Sequence, residues 1–173
     1  MISDDEILNA IAGPIDTPAA WRYQFWINSI FGCRAVAMLE SDAKGSAAYL
    51  WVFAAATPNG VDFEENPSLV SSDSFDMQLV CEVPESLSNY WQHWRFARIG
   101  EIEEPSLLYR DGIHMLMRSF DGATSSSTEL IEALKEVQPL RGQAYDEIFD
   151  TLDQLFGWKK ILAESYPARR RTL

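Results

Sequence analysis

Two histidines, two cysteines and 26 carboxylates are the groups with which this chain could do chemistry. His93 lies in the run Tyr90-Trp91-Gln92-His93-Trp94-Arg95. An imidazole walled by aromatic rings can serve as a general base, because its pKa lies near neutrality and burial tunes it. The competing reading is a histidine packed between core aromatics. His114 alternates with Ile113, Met115 and Met117, which points it away from an apolar face. A site using both histidines requires them to meet across a sheet.

The carboxylates form adjacent pairs, Glu64-Glu65 and Glu103-Glu104. Neighbours in a strand face opposite ways, whereas acid hydrolysis of a glycoside needs two carboxyl groups facing across one cleft. Asp62, Glu64, Glu65, Asp73 and Asp76 fall within fifteen residues. Their spacing does not match a calcium loop, and no glycine stands at the turn position such a loop needs. The serine runs 71–74 and 125–127 read as polar loop. No Gly-rich phosphate loop, H-E-x-x-H, C-x-x-C or G-x-S-x-G pattern occurs. We therefore expect no metal, no cofactor and no motif-borne catalytic site.

Charge is the stronger signal. The net charge is −12. Residues 35–94 hold nine acidic side chains against Lys44 alone, a local charge of −8. One sign of charge concentrated in one segment speaks to partners, not to fold. It argues against direct nucleic-acid binding and suits a basic protein partner. Asp62, Glu64, Glu65, Asp73 and Asp76 sit in or beside a serine-rich stretch expected to be an exposed loop, so they are the expected partner-binding residues. The Arg169-Arg170-Arg171 tail reads as a solvated end.

The elements that would carry these groups follow from periodicity. At 173 residues the chain is expected to form one domain over residues 1–166, with a frayed basic tail at 167–173. Ser3 and Glu6 form a capping-box pattern ahead of Ile7, Leu8 and Ile11, and Gly13-Pro14 stops that helix. Thr17-Pro18 predicts a second helix that turns Trp21 and Phe25 inward and ends at Gly32, although Tyr23 to Phe31 is rich in strand formers. Residues 33–39 and 46–55 predict a hairpin around Ser41 to Gly45. Phe75, Met77, Leu79, Cys81 and Val83 alternate with Asp76, Gln78, Val80 and Glu82, a half-wet strand that Pro84 ends. Residues 85–99 suit helix or strand. Asp111-Gly112 predicts a tight hairpin between Leu107–Arg110 and Ile113–Phe120. Beyond a linker at 121–127, Ser126 with Glu129 and the spacing of Leu130, Ile131, Leu134 and Val137 predict a helix. A last amphipathic helix runs from Tyr145 to Phe156, broken at Gly157 before Trp158 to Tyr166.

Helices, then antiparallel strands, then helices make an α+β fold: N-terminal helices, a central meander-like antiparallel sheet, and C-terminal helices packed on one face. Two cysteines are too few for a disulfide framework, the acidic start is unlike a secretory signal, and the longest apolar run is too short to cross a bilayer. The expected setting is the cytoplasm. Three function classes follow. The first is an acidic interaction protein of the immunity or antitoxin kind, which covers the cationic site of a toxin such as a nuclease. The second is a DNA mimic or accessory protein of phage or mobile-element origin. The third is an enzyme with a dispersed site, for which a pocket holding a histidine beside a carboxylate would speak.

Overall fold

The computed structural model describes residues 3–29, 34–53, 77–102, 113–132 and 136–165. Helix α1 spans Asp4–Ala12, and its capping box is formed. The Ser3 hydroxyl accepts from the Glu6 N–H at 3.2 Å, and the Glu6 carboxylate accepts from the Ser3 N–H at 2.6 Å. These bonds hold the Glu6 carboxyl below its usual range. Strands β1 (Trp21–Ser29), β2 (Arg34–Asp42), β3 (Gly45–Phe53) and β4 (Met77–Glu82) follow. Next come helices α2 (Glu85–Gln92) and α3 (Ile99–Ile102), strands β5 (Ile113–Phe120) and β6 (Ser125–Ile131), and helices α4 (Pro139–Phe156) and α5 (Trp158–Ser165).

The six strands form one antiparallel sheet in the order β4-β3-β2-β1-β5-β6. Three strands, β2, β3 and β4, meander outward from β1 on one side, and the β5–β6 hairpin lies on the other. The α+β architecture expected from the sequence is therefore present. Both faces of the sheet are covered. On one face Trp21, Tyr23, Phe25, Ile27, Leu39 and Leu50 pack with Met115 and Met117 against α2, α3, α4 and α5. On the other, Trp26, Val36, Met38, Trp51, Phe53 and Leu116 pack with Ile7 and Leu8 of α1.

Coverage of both faces explains where the expected elements fail. The helix predicted after Thr17 is strand β1. Its outward register, Arg22, Gln24 and Trp26, is as buried as its inward one. Arg22, Gln24 and Asn28 alternate with Trp21, Tyr23, Phe25 and Ile27, a strand pattern broken at Trp26 alone, and it prevails over the Thr17-Pro18 start signal. Arg22 and Gln24 tolerate burial because they are bonded. Arg22 forms an ion pair with Glu40 at 2.8 Å and donates to the Ile15 carbonyl at 3.0 Å. Gln24 donates to the Gly13 carbonyl at 2.9 Å and accepts from Arg118 Nε at 3.1 Å.

The helix predicted from Ser126 is also a strand, β6. Its Thr128 and Leu130 alternate inward beside β5, and the residues assigned to a linker shrink to the turn 121–124. Strand β5 pairs with β1 and β6, and its expected hairpin mate Leu107–Arg110 lies outside the described residues. The predicted Asp111-Gly112 turn itself falls outside the described residues, as does the tail 167–173. The open stretch 85–99 resolves to α2, a run of turns, and the start of α3.

Other expectations hold. The β2–β3 hairpin closes through Asp42, whose carboxylate accepts from the Lys44 N–H at 2.7 Å. Leu79 and Cys81 of β4 pack toward the α4 face, while Val80 is 59% exposed. Gly157 caps α4 in a left-handed conformation, φ 69°, which separates α4 from α5.

Candidate functional site

The aromatic segment 90–96 supplies three rings to the core. Trp91, Trp94 and Phe96 are buried, whereas Tyr90 and His93 are exposed. Trp91 and Trp94 lie with centroids 4.4 Å apart, and both meet Tyr23 edge-on. Tyr23 donates its hydroxyl to the Trp91 carbonyl at 2.8 Å, and burial raises its pKa. Glu147 of α4 ties this segment down. It accepts from Tyr90 at 2.5 Å, from Trp94 Nε1 at 2.8 Å and from Arg95 at 3.3 Å. Burial pushes the Glu147 carboxyl up, but these three donors together outweigh it and leave the group below its usual range.

Two concavities stand out in the described part of the molecule. The first, about 380 Å³, lies at the end of the sheet where β1 begins and β5 ends. Its walls are the buried rings of Trp21, Tyr23, Trp94 and Phe120, with the exposed Gln92 and His93 at its edge. Arg98, Ser119, Asp121 and Thr124 complete it. Asp121 makes the β5–β6 turn. Its Oδ1 accepts from the Thr124 N–H at 2.7 Å and the Ala123 N–H at 2.9 Å, and its Oδ2 from Arg98 at 3.4 Å. Those backbone donors, Thr124 foremost, hold its pKa at about 2. Arg98 also pairs with Glu101 at 2.9 Å.

This cavity places His93 and the carboxylate of Asp121 on one concave surface, as an enzyme reading requires. The chemistry it could do is narrow. Asp121 stays ionised at neutral pH and is bonded through both oxygens. Ser119 gives its hydroxyl proton to the Ala97 carbonyl at 2.6 Å, so it is not paired with the imidazole as a nucleophile would be. His114 cannot join this site. It stands in the alternating register opposite Met115 and Met117, on the α1 side of the sheet, five residues along β5 from Ser119, about 17 Å at the usual strand rise.

The second concavity, about 430 Å³, runs along the β2–β3 turn toward β4. Glu40, Asp42 and Glu82 line it with Lys44, and Tyr49 forms part of its floor. The register explains the grouping: Glu40 pairs with Ala47, and Ala47 with Glu82, so both acids project on the same face of neighbouring strands. Burial and then the nearby Glu40 and Asp42 charges raise the Tyr49 pKa. Tyr49 also stacks on Trp51, centroids 5.7 Å apart. Glu40 is committed to Arg22, whereas Asp42 and Glu82 are exposed. No sequence motif marked this groove; the alternation of Glu40 and Asp42 along β2 was the available signal.

The expected partner-binding residues Asp62, Glu64, Glu65, Asp73 and Asp76 all lie outside the described residues. Among the described residues no group of three or more His, Cys, Asp and Glu side chains is placed to hold a metal ion, and no helix is long and apolar enough to cross a membrane. Cys81 is a free, partly buried thiol whose pKa burial raises.

Burial is unequal between the charges. Among the described residues Arg22, Arg118 and Arg141 are buried, and no carboxylate is. Arg118 donates to Asn9 at 2.8 Å and to Gln24, and Arg141 donates to the Glu129 carbonyl at 2.6 Å. With those three of the nine described cations inside, six remain outside the interior against 18 described carboxylates. The described surface is more acidic than the composition of those residues implies. No protein-family model matches this chain, and no curated protein or solved structure is significantly similar to it.

Proposed function

We propose that this protein is an acidic interaction module that binds and blocks a basic protein partner, in the manner of an immunity protein or antitoxin covering a cationic toxin surface. The observation that carries the reading is the internalisation of three arginines while the described carboxylates remain accessible. That arrangement leaves the described exterior more negative, and hydrogen bonds inside offset part of the cost of burying each arginine. A negative exterior steers a cationic partner and rejects phosphate backbones. Single exposed ion pairs contribute only about 0–1 kcal/mol, so the charges act together and an apolar or aromatic anchor must supply affinity. Tyr49, flanked by Asp42 and Glu82, offers such an anchor in the groove at the β2–β3 turn. The segment carrying Asp62, Glu64, Glu65, Asp73 and Asp76 joins the Phe53 end of β3 to the Met77 end of β4, opposite the end that bears Glu82, so these acids are candidates for a second partner-binding surface.

The test is capture of basic proteins on immobilised wild-type chain. Association rates of the captured partner are then measured for two variants, Asp42→Asn/Glu82→Gln and Glu64→Gln/Glu65→Gln/Asp73→Asn/Asp76→Asn. Slower association in either variant, with an unchanged melting temperature, supports the reading and locates the surface. Equal rates for all three proteins at low salt would refute it.

A further inference from the structure

We propose that the outer edge of β4 takes up an extended segment of a basic protein as a seventh strand, with a cationic side chain beside Glu82 and an aliphatic one beside Val80. The proposal rests on reading the protein as an acidic interaction module and names the contact through which the partner docks. Strand β4 ends the sheet, and among the described residues no strand pairs with its outer side. The ladder fixes which groups face out. The Val83 N–H donates to the Ser46 carbonyl at 3.0 Å, which continues the β3–β4 register. Antiparallel ladders alternate, so Met77, Leu79 and Cys81 also turn their backbone groups toward β3, while Gln78, Val80 and Glu82 turn theirs outward. Each of those three presents one N–H and one C=O, a template for strand addition.

The side chains select the occupant. Among the described residues, the large apolar side chains left exposed include Met77 at 43% and Val80 at 59%, both on β4, whereas the other edge strand, β6, exposes none. Nor does β4 carry the lysine, proline or inward charge that guards an edge against pairing. Gln78, Val80 and Glu82 share one face, opposite Trp51, Tyr49 and Ala47 of β3. An added strand sets alternate side chains beside them on that face. Glu82 is exposed and stands with Glu40 and Asp42 in the groove at the β2–β3 turn, so its neighbour should be lysine or arginine. Two residues along the added strand, Val80 calls for an aliphatic side chain. A second copy of this chain suits the edge less well. Pairing about Val80 would set Glu82 beside the neutral Gln78 of the copy, between two bodies each of net charge −12.

The experiment is a two-dimensional amide NMR titration of the full chain with the blocked peptide Thr-Arg-Thr-Val-Thr-Arg-Thr. The expected result is saturable shifts and slowed hydrogen exchange at the Gln78, Val80 and Glu82 amides. The same peptide with both arginines replaced by glutamate should bind at least about tenfold more weakly. So should a peptide N-methylated at its valine, whose N–H would pair with Val80. Val80→Pro removes an outward N–H that β3 does not use, so it should melt like wild type and bind the arginine peptide about tenfold more weakly. The N-methyl comparison is made on wild type and stands whether or not that variant folds. Glu82→Gln should weaken the arginine peptide about two- to fivefold, the worth of one exposed ion pair. No saturable shift up to about 5 mM peptide would overturn the proposal. So would shifts centred away from β4, or the N-methylated or glutamate peptide binding as well as the parent. Shifts of the β4 amides with protein concentration alone would also overturn it, by giving the edge to a second copy. The acidic reading fails separately. A captured basic partner that is slowed by neutralising Asp42 and Glu82 but indifferent to Val80→Pro would leave that reading standing and remove strand addition.

Discussion

Replacing Arg118 by Met separates the work of the buried cation from that of its carbon stem. Arg118 is 6% exposed in the centre of the sheet. It donates to Gln24 Oε1 through Nε at 3.1 Å, to Asn9 Oδ1 at 2.8 Å and to the Gly13 carbonyl at 3.3 Å. The first partner lies in β1 and the other two in or at the end of α1, so one guanidinium clamps the helix to the sheet. Methionine keeps the apolar stem and removes every donor. Asn9 is exposed and can bond water, and Gly13 still receives Gln24 Nε2. Gln24 is 0% exposed, so its Oε1 is stranded. A stranded buried acceptor costs about 1–3 kcal/mol. Relief of the burial penalty that lowers the Arg118 pKa offsets part of this. We expect a net loss of about 2 kcal/mol, seen as a fall in melting temperature of about 4–8 °C for a chain of this length. Hydrogen exchange should show the α1 amides losing protection before those of β1 and β2. In the double variant Arg118→Met/Gln24→Leu both ends of the bond are gone, so its loss should be smaller than the two single losses added. A melting temperature unchanged in Arg118→Met, or strictly additive losses, would refute the clamp.

Two more outcomes follow from the turn and the α2–α4 bridge. Gly122→Ala should destabilise by about 1–3 kcal/mol in urea unfolding, since Gly122 has φ 95° and an added Cβ would meet the Ala20 carbonyl oxygen at 3.0 Å; a neutral substitution would contradict the turn geometry. Glu147→Gln should cost about 1 kcal/mol at pH 7. The folded pKa of Glu147 is lowered, so its stabilisation is complete above the unfolded value near 4.3 and is lost as pH falls through the folded pKa. The stability difference between wild type and Glu147→Gln should therefore close on acidification, and a difference constant from pH 7 to 2 would rule the linkage out.

The fold class was legible because the N-cap at Ser3, the hairpin around Asp42 and the amphipathic run from Tyr145 announce themselves locally. Strands β1 and β6 were not. In β1 the polar register carries Arg22 and Gln24, whose partners Glu40, Gly13 and Arg118 are 11 to 94 positions away. The alternation of Trp21, Tyr23, Phe25 and Ile27 with Arg22, Gln24 and Asn28 was a strand signal, but the Thr17-Pro18 cap pattern and Trp26 in the polar register competed with it. In β6 the Ser126–Glu129 spacing imitates a cap, while the decisive contacts are the ladder to β5 and the bond from Arg141 to Thr128. The acidic character was equally plain, but not its distribution. That three arginines would be buried depends on pairings between distant elements. The aromatic cavity draws its walls from β1, β5 and the segment after α2, and no local window of sequence contains all three.

The central claim is that the acidic exterior recruits a basic protein. It is tested most directly by the association rate of the captured partner against ionic strength, for wild type and for the chain neutralised at Asp42, Glu82, Glu64, Glu65, Asp73 and Asp76. The account predicts that wild type associates at least about tenfold faster than the variant at low salt and that the two rates converge as salt screens the field. Equal rates at low salt, or a wild-type rate indifferent to salt, would contradict it.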